Sequence, residues 1–266
     1  MKKPRVLVFA GYGLNCEEET AFAFSFAGAE VDMVHVNDLV ASPKRLHNYH
    51  ILAFPGGFAY GDDTGAGNAY ANKLRNHLWE ELATFVKKDR LVIGICNGCQ
   101  ILVALGLVPA LGGSYGVRQV ALLHNSTARY TVRWTDVAVE GQSPWIMGIS
   151  RLSLPIAHGE GRLYAPKEVL DEIEKKHLIA LRYENGQISK AHHLPANPTG
   201  TLHDIAGLIN ENGRILGIMP HPERAISFTQ LPHWTLLKES YRRKGQKLPT
   251  AGPGLQIFQN AIRYFS

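Results

Sequence analysis

The stretch LVIGICNGCQIL, residues 91–102, decides how this protein folds, and it allows two interpretations. Its first five residues, LVIGI (91–95), form a short apolar run typical of a buried parallel strand, and the residues after it have the apolar spacing of a helix. Cys96 and Cys99 at the junction form a C-x-x-C pair, which is the spacing of a dithiol redox site or of half a zinc site. The chemistry of the protein depends on which interpretation holds.

The same junction also has the pattern of an elbow, a sharp strand-to-helix turn that presents a nucleophile. Gly94 and Gly98 stand two residues on either side of Cys96, where small residues let the strand and the helix approach closely. Cys96 would then lie at the N-terminus of the helix, where the helix dipole favours a thiolate. The backbone amide of Asn97 would point to the place where an oxyanion forms.

The C-x-x-C interpretation has little support in the rest of the chain. A zinc ribbon needs a second pair of Cys or His ligands, and the one further cysteine, Cys16, lies far upstream. We therefore expect no metal site. A redox dithiol stays open, because a C-x-x-C pair at the start of a helix is where such sites occur.

Secondary-structure patterns predict an α/β fold. Apolar runs alternate with helical stretches in the first half of the chain, which indicates right-handed crossovers and parallel strands. Residues 69–88 are one of these predicted helices. Residues 119–157 are richer in β-branched and aromatic residues and look antiparallel, and residues 204–220 predict a hairpin that turns at Asn212-Gly213. We therefore expect a mixed, mostly parallel sheet flanked by helices.

Length and composition indicate a soluble globular protein. The 266 residues are 45% hydrophobic and 19% charged, and we interpret residues 1–266 as one domain, with residues 224–252 as a candidate mobile excursion. No apolar run is long enough to span a membrane, and no signal-peptide pattern is present, so we expect a cytoplasmic protein without a membrane partner. The net charge of +5 comes from scattered Lys and Arg, so we expect no nucleic-acid partner.

The segment MPHPE, residues 219–223, offers a base and a carboxylate. His221 and Glu223 are two residues apart, and alternate residues of an extended segment point the same way. Together with Cys96 they would form a Cys–His–carboxylate triad. In such a triad the imidazole takes the thiol proton and later protonates the leaving group, while the carboxylate fixes the tautomer of the imidazole.

The segment FPGGFAYGD, residues 54–62, offers a second donor for an oxyanion. Two adjacent glycines directly after a predicted strand leave backbone N–H groups accessible to a ligand. Gly57 could therefore donate a hydrogen bond to the oxyanion from the side opposite Asn97.

Four motifs, in this order and spacing, resemble one family. They are PGGFAYGD (55–62), GICNGCQIL (94–102), PIAHGEG (155–161) and GIMPHPERA (217–225). The second and fourth are similar to those of class I, triad-type glutamine amidotransferases. The first and third are similar to those of the amidotransferase subunits of phosphoribosylformylglycinamidine synthases. The resemblance covers most of the chain and implies the flavodoxin-like fold of class I glutamine amidotransferases.

The resemblance also assigns roles to individual residues. It implies that Cys96 is the nucleophile, that His221 is the general base and acid, and that Glu223 orients His221. It implies an oxyanion hole made by Gly57 and Asn97. The residues that it places at or near bound glutamine are Gly56, Phe58, Gln100, His158 and Glu160.

The function implied by the resemblance is that of a glutaminase subunit in purine biosynthesis, which hydrolyses glutamine to glutamate and delivers ammonia to a partner. No G-x-x-x-x-G-K-[ST] loop is present, so we expect no cofactor on this chain. The resemblance implies a separate synthetase chain that binds ATP and magnesium and makes formylglycinamidine ribonucleotide, and a further candidate partner is a small third subunit. Three alternatives stay open: a class I amidotransferase serving another acceptor, a C-x-x-C redox protein, and a scaffold subunit without turnover.

Overall fold

A computed structural model describes residues 3–62 and 64–266 of the chain. The prediction of one domain over 1–266 includes Met1, Lys2 and Asp63, which lie outside the described residues. The strands are β1 Arg5–Ala10, β2 Glu30–His35, β3 Ile51–Phe54, β4 Leu91–Ile95, β5 Ala121–Leu123, β6 Thr131–Val139, β7 Arg151–His158, β8 Arg162–Tyr164, β9 Ile179–Glu184, β10 Ile205–Ile209 and β11 Ile215–Ile218.

Nine of the strands in the described part of the chain form one mixed sheet, in the order β2-β1-β3-β4-β11-β10-β9-β6-β7. The neighbours from β2 to β11 are all parallel. Strands β3, β4 and β11 are buried at every position, which explains why their sequences are continuous apolar runs. The remaining pairings, from β11 to β7, are antiparallel.

The antiparallel part of the sheet contains the predicted hairpin and part of the predicted antiparallel region. Strands β10 and β11 pair around the Asn212-Gly213 turn, with Gly207 opposite Ile218. Along β7 buried positions alternate with partly exposed ones, as expected where one face of the sheet packs on the core. Strands β5 and β8 form a separate two-stranded sheet.

Helices pack on the sheet in two groups. The helices are α1 Glu17–Phe26, α2 Val36–Ala41, α3 Asn68–His77, α4 Trp79–Lys87, α5 Asn97–Ala104, α6 Lys167–Lys175, α7 Gln187–Ala191, α8 Trp234–Arg243 and α9 Leu255–Arg263. Helix α1 packs on β1 and β2 and against α9, where the rings of Phe24 and Phe258 lie 4.9 Å apart. Helix α5 packs on β3, β4 and β11 and against α3. The predicted α/β fold class is confirmed.

One predicted helix, residues 69–88, is two helices in the structure. Leu78 separates α3 from α4, with φ −131° and ψ 4°, and its side chain is buried. Its amide N–H donates to the Leu74 carbonyl, and the Leu82 amide N–H donates to the Leu78 carbonyl. The sequence has no Gly or Pro at this bend, and the helical spacing of apolar residues continues across it. Nothing in the sequence therefore indicates that the helix is interrupted.

Residues 224–252 carry helix α8, which has no buried residue. The two ends of this segment are joined, because Ser227 forms an isolated bridge with Ala251 and the Phe228 amide N–H donates to the Thr250 carbonyl at 3.0 Å. The mobility of the segment stays a prediction.

The carboxyl ends of the parallel strands meet at one edge of the sheet. The segments that follow β1, β3, β4 and β11 are therefore neighbours, although they are far apart in the sequence. Ligands of open α/β sheets bind at this edge, and the predicted site residues lie there.

Candidate active site

Cys96 lies in the turn between β4 and α5, with φ 51° and ψ −107°, a conformation that non-glycine residues rarely adopt. Its backbone N–H donates to the Ile218 carbonyl of β11 at 2.8 Å. A Cβ added to Gly94 would lie 2.5 Å from the Gly98 carbonyl oxygen, and one added to Gly98 would lie 1.9 Å from the Phe54 carbonyl oxygen. Both glycines are therefore required by backbone packing at the turn.

His221 and Glu223 follow β11 and are almost fully buried, each 1% exposed. Their Nδ1 and Oε1 atoms are 2.5 Å apart, and the His221 backbone N–H donates to the Pro155 carbonyl of β7 at 2.8 Å. The segment is not extended throughout, because a 3-10 turn begins at Pro222. Among the described residues the Nε2 atom of His221 has no hydrogen-bond partner, so this nitrogen can exchange a proton with a neighbouring thiol.

Opposing effects act on the pKa of His221. Burial by itself lowers this pKa, but the charges of Glu223 and Cys96, followed by the nearby thiols of Cys16 and Cys96, raise it well above its usual value. The balance favours the imidazolium form of His221. The arrangement can therefore hold a proton on the imidazole while the sulfur acts as a nucleophile.

The two residues predicted for the oxyanion hole lie on segments that are bonded to each other. Asn97 is the first residue of α5, so its backbone N–H has no carbonyl partner within the helix. Its side-chain Oδ1 accepts from the Ala59 amide N–H at 3.0 Å, and its Nδ2 donates to Asp62 at 3.3 Å. Asn97 thereby attaches the segment that contains Gly57 to the elbow.

Gly56 and Gly57 lie in close contact with two other parts of the site. A Cβ added to Gly56 would lie 2.7 Å from Cε1 of His221. One added to Gly57 would lie 2.4 Å from the Gly13 carbonyl oxygen. Phe58 is partly exposed, and its ring centroid is 5.7 Å from that of Tyr130.

Gln100, His158 and Glu160 are further residues predicted to lie at or near bound glutamine. The Gln100 amide accepts from Asn97 Nδ2 at 2.8 Å and donates to the Glu160 carbonyl at 2.6 Å, so both ends of it are already bonded within the protein. The Glu160 carboxylate accepts from the Ala66 amide N–H at 3.0 Å. Their predicted contacts with glutamine stay predictions.

His158 is 2% exposed, and among the described residues neither of its ring nitrogens has a hydrogen-bond partner. Burial, followed by the nearby charge of His221, lowers the pKa of His158 to about 3. Gly161 leaves room for the ring, because a Cβ there would lie 2.0 Å from Cε1 of His158. His158 is therefore a neutral imidazole near the candidate triad.

The two cysteines of the C-x-x-C pair have different surroundings. The Cys96 thiol contacts the Ala157 carbonyl at 3.7 Å, whereas the Cys99 thiol packs toward β11, where a Cβ added to Gly217 would lie 3.1 Å from it. Burial, followed by the charge of Cys96, raises the pKa of Cys99. Cys99 thus behaves as a core residue, as expected from its place inside the helix.

Cys16 and Arg224 lie beside the candidate triad but were not predicted from the sequence. Cys16 is 1% exposed and accepts from Nη2 of Arg224 at 2.9 Å. The side-chain atoms of Cys16, His221 and Glu223 that could bind a metal ion lie within 4.8 Å of one another. No other group of this kind is found in the described ranges. The Arg224 guanidinium already places a positive charge beside the sulfur. Cys16 follows β1 in the motif GLNCEEE (13–19). Its position after a parallel strand was the one feature of the sequence that indicated a site residue.

Two further residues were missed. The Asn125 side chain donates to the His158 carbonyl at 2.8 Å and accepts from the Gly161 amide N–H at 3.0 Å, so it holds the turn after β7. The Tyr130 hydroxyl donates at 2.8 Å to the Ala157 carbonyl, the same acceptor that the Cys96 thiol contacts. In the sequence, the only feature that distinguishes Asn125 is its place as a polar residue at the end of an apolar run.

Comparison with known proteins first defines the class. The family model described as the CobB/CobQ-like glutamine amidotransferase domain matches residues 3–265. The solved structure of a glutamine amidotransferase from Methylobacillus flagellatus shares the fold at 12% identity, with a TM-score of 0.50 and coverage of 99% of this chain and 95% of that one. The family model therefore defines the class as glutamine amidotransferase, and the solved structure shows the shared fold.

More similar relatives define the branch of the class. Phosphoribosylformylglycinamidine synthase subunit PurQ from Methanococcus maripaludis is 45% identical, over 99% of this chain and 98% of the relative. PurQ from Dehalococcoides mccartyi is 42% identical with the same coverage. The solved structure of PurLQS from Thermotoga maritima matches at 28% identity and a TM-score of 0.72, with 100% of both chains covered. The chain therefore belongs to the PurQ family of phosphoribosylformylglycinamidine synthase subunits.

The family resemblance expected from the four motifs is confirmed by these matches. In the described part of the chain no helix has both the length and the apolar character needed to cross a membrane.

Proposed function

We propose that this chain hydrolyses glutamine at Cys96 and passes the ammonia to a synthetase partner that makes formylglycinamidine ribonucleotide. The observation that carries the proposal is the geometry at Cys96. A cysteine with φ 51° stands between two glycines that backbone packing requires, next to a buried His221–Glu223 pair 2.5 Å apart. The full-length similarity to PurQ subunits supports the choice of acceptor.

In the first step the Cys96 thiolate attacks the side-chain amide carbon of glutamine. The carbonyl electrons move to oxygen, and the N–H groups of Gly57 and Asn97 stabilise this oxyanion. His221, oriented by Glu223, gives a proton to the departing nitrogen. The C–N bond breaks, ammonia leaves, and a glutamyl thioester remains on Cys96.

In the second step water attacks the thioester. His221 takes a proton from the water, and the same oxyanion donors stabilise the second tetrahedral intermediate. The C–S bond breaks, glutamate is released, and the sulfur returns to its starting state. The chain supplies every group needed for these steps, and the proposal includes no cofactor or metal on it.

Ammonia that reaches bulk water at neutral pH becomes protonated and loses its nucleophilicity. We therefore expect an enclosed path from Cys96 to the active site of the partner. The partner chain would bring ATP and magnesium and use the ammonia to convert formylglycinamide ribonucleotide into the amidine. The name PurLQS of the matching Thermotoga maritima structure implies components in addition to Q, which supports a synthetase chain and a small third subunit.

The test is amidine formation by this chain mixed with the purified synthetase chain. We expect glutamine to support the reaction with wild-type protein. With Cys96→Ser we expect glutamine to fail and added ammonium salt to succeed at high pH. Equal use of glutamine by the Cys96→Ser complex would overturn the assignment of the nucleophile. Glutaminase activity without any amidine would indicate an amidotransferase with another acceptor, and no glutaminase activity in any mixture would indicate a scaffold subunit.

A further inference from the structure

Cys16 is a buried thiol near the candidate triad that the proposed mechanism leaves unused. It precedes α1 and is 1% exposed. The backbone N–H groups of Asn15 and Cys16 both donate to the Gly56 carbonyl, at 3.2 and 3.1 Å. The segment after β1 is thus bonded to the backbone of the candidate oxyanion segment, which follows β3 and contains Gly56 and Gly57.

The sulfur of Cys16 and the imidazole of His221 share one packing site. A Cβ added to Gly56 would lie 2.7 Å from Cε1 of His221 and 3.2 Å from Sγ of Cys16. Gly56 therefore has no side chain because the imidazole and the sulfur occupy that space. A buried sulfur in such contact with a ring restricts how far the ring can turn.

Arg224 links this sulfur to the candidate triad. Its Nη2 donates to Sγ of Cys16 at 2.9 Å, and its Nε lies 3.8 Å from Oε1 of Glu223. Oε1 is also the atom that faces Nδ1 of His221. The Arg224 guanidinium therefore contacts both the Cys16 sulfur and the Glu223 carboxylate, and both of these groups lie beside the His221 imidazole.

We propose that Cys16 is a positioning residue for His221: held by Arg224 and packed against Gly56, its sulfur keeps the imidazole turned so that Nδ1 faces Glu223 and Nε2 faces Cys96. The inference rests on the proposed function, because it concerns the general base of that reaction. The reason is geometric. Glu223 bonds to the ring at one nitrogen only, so packing against the ring face or edge further restricts rotation of the imidazole about its Cβ–Cγ bond.

The sulfur also belongs to the charge environment of the imidazole. The titratable and charged groups near His221 are Glu223, Cys96 and Cys16, with Arg224 bonded to Cys16 and with His158 and Tyr130 nearby. Removal of the Cys16 sulfur therefore changes both the orientation of the ring and the pH at which it loses its proton.

The primary test compares Cys16→Ala with Cys99→Ala in the complex with the synthetase chain. Both variants remove one buried thiol, but Cys99 packs toward β11 and not against the imidazole. For Cys16→Ala we expect kcat of glutamine hydrolysis to fall by about 10-fold to 100-fold, with the KM for glutamine nearly unchanged. For Cys99→Ala we expect kcat close to that of the wild type.

The second readout is the pH dependence of Cys96 labelling by 6-diazo-5-oxo-L-norleucine, measured by mass spectrometry of the labelled peptide. Cys16→Ala should shift the midpoint of this profile, whereas Cys99→Ala should leave it in place. A purely structural role of Cys16 would lower the amount of folded protein without moving the midpoint. Thermal unfolding of each variant separates the two effects.

Conservative rescue and a double-mutant cycle complete the test. Cys16→Ser should recover part of kcat, because a hydroxyl keeps an acceptor for Arg224. Arg224→Gln should lower kcat in the same direction as Cys16→Ala, and the double variant should lose less than the product of the two losses.

Two results would overturn the inference: an unchanged labelling profile in a folded Cys16→Ala protein, or independent effects in the cycle. Failure of the wild type itself to be labelled by the glutamine analogue would instead overturn the proposed function.

Discussion

At the scale of single residues, the two thiols of the C-x-x-C pair differ in their surroundings, although they are close in the sequence. Cys96 lies in a strained turn facing the Ala157 carbonyl, and Cys99 lies in the core, where burial raises its pKa. A dithiol mechanism would need both sulfurs to react. The environment of Cys99 instead favours the thiol form, which neither attacks a substrate nor exchanges readily with a disulfide.

We predict that Cys96→Ser lowers glutamate release by about 10⁴-fold, whereas Cys99→Ala keeps most of the activity. The hydroxyl of serine is a much weaker nucleophile than a thiolate and gains little from an imidazole arranged for sulfur. The measurement is glutamate formation by the complex, with circular dichroism to confirm that each variant is folded. A comparable loss in both variants would support the redox dithiol instead.

Sequence reasoning found the residues that carry a distinctive local pattern. Cys96 stands between two glycines, and His221 and Glu223 stand among prolines, so each had a signal within a few positions. The contact between Cys16 and Arg224 had no local signal, because it joins residues more than two hundred positions apart in the chain. Cys16 was marked only by its place after a parallel strand. Such a contact depends on which strands are neighbours, and a single sequence does not contain that information.

At the scale of elements, the elbow depends on the close approach of β3, β4 and α5. The absence of a side chain at Gly98 lets the start of α5 pass beside the Phe54 carbonyl of β3. The sequence pattern predicted a tight turn here, and the strand LVIGI was predicted with the bounds that β4 has. The sequence pattern did not predict that the Phe54 carbonyl of β3 would leave no room for a side chain at residue 98, because this depends on the order of the strands in the sheet.

We predict that Gly98→Ala lowers the free energy of unfolding by about 3 kcal/mol, because its Cβ would lie 1.9 Å from a backbone oxygen that cannot move aside. Gly159→Ala is the matched control, since a Cβ there would meet no atom closer than 3.8 Å. Urea denaturation of the two variants gives the comparison. Equal midpoints for both would show that the elbow tolerates a side chain.

The candidate oxyanion segment is held by the segment after β1 and by the first residue of α5. The Phe58 amide N–H donates to the Gly13 carbonyl at 2.8 Å, and the Ala59 amide N–H donates to the Asn97 side chain at 3.0 Å. The sequence predicted the accessible glycines but not these supports. The helix predicted over 69–88 shows the same limit, because its bend at Leu78 is set by packing and not by a breaking residue.

We predict that Asn97→Ala lowers kcat of glutamine hydrolysis by about 10-fold or more, because the Ala59 amide loses its acceptor and the oxyanion segment loosens. The backbone N–H of residue 97 remains in this variant, so the loss reports the positioning of the Gly57 segment. Asn68→Ala is a control, since Asn68 is a half-buried asparagine whose amide donates to the Thr64 carbonyl at 3.1 Å. Full activity of Asn97→Ala would show that the segment is held by other contacts.

At the scale of the whole molecule, folding brings titratable groups into surroundings that change the pH dependence of stability. The raised pKa of His221 means that its contribution to stability is complete below the unfolded value of about 6.5 and is lost as pH rises through the folded pKa. His158 acts in the opposite direction. With a folded pKa of about 3, it stays neutral in the native protein while the unfolded chain takes up a proton below about pH 6.5.

We therefore predict that His158 makes the protein less stable as pH falls from about 6.5 toward about 3, by up to about 1.4 kcal/mol per pH unit. His158→Gln should remove this part of the slope, because glutamine does not titrate. Any loss of packing in the variant would lower its stability by the same amount at every pH, so it would shift the curve without changing its slope. The measurement is urea denaturation between pH 7 and about pH 4.5, with His192→Gln as the exposed control. Parallel pH curves for the wild type and His158→Gln would show that the imidazole is protonated in the folded protein, and the space beside Gly161 would then have to hold a charge.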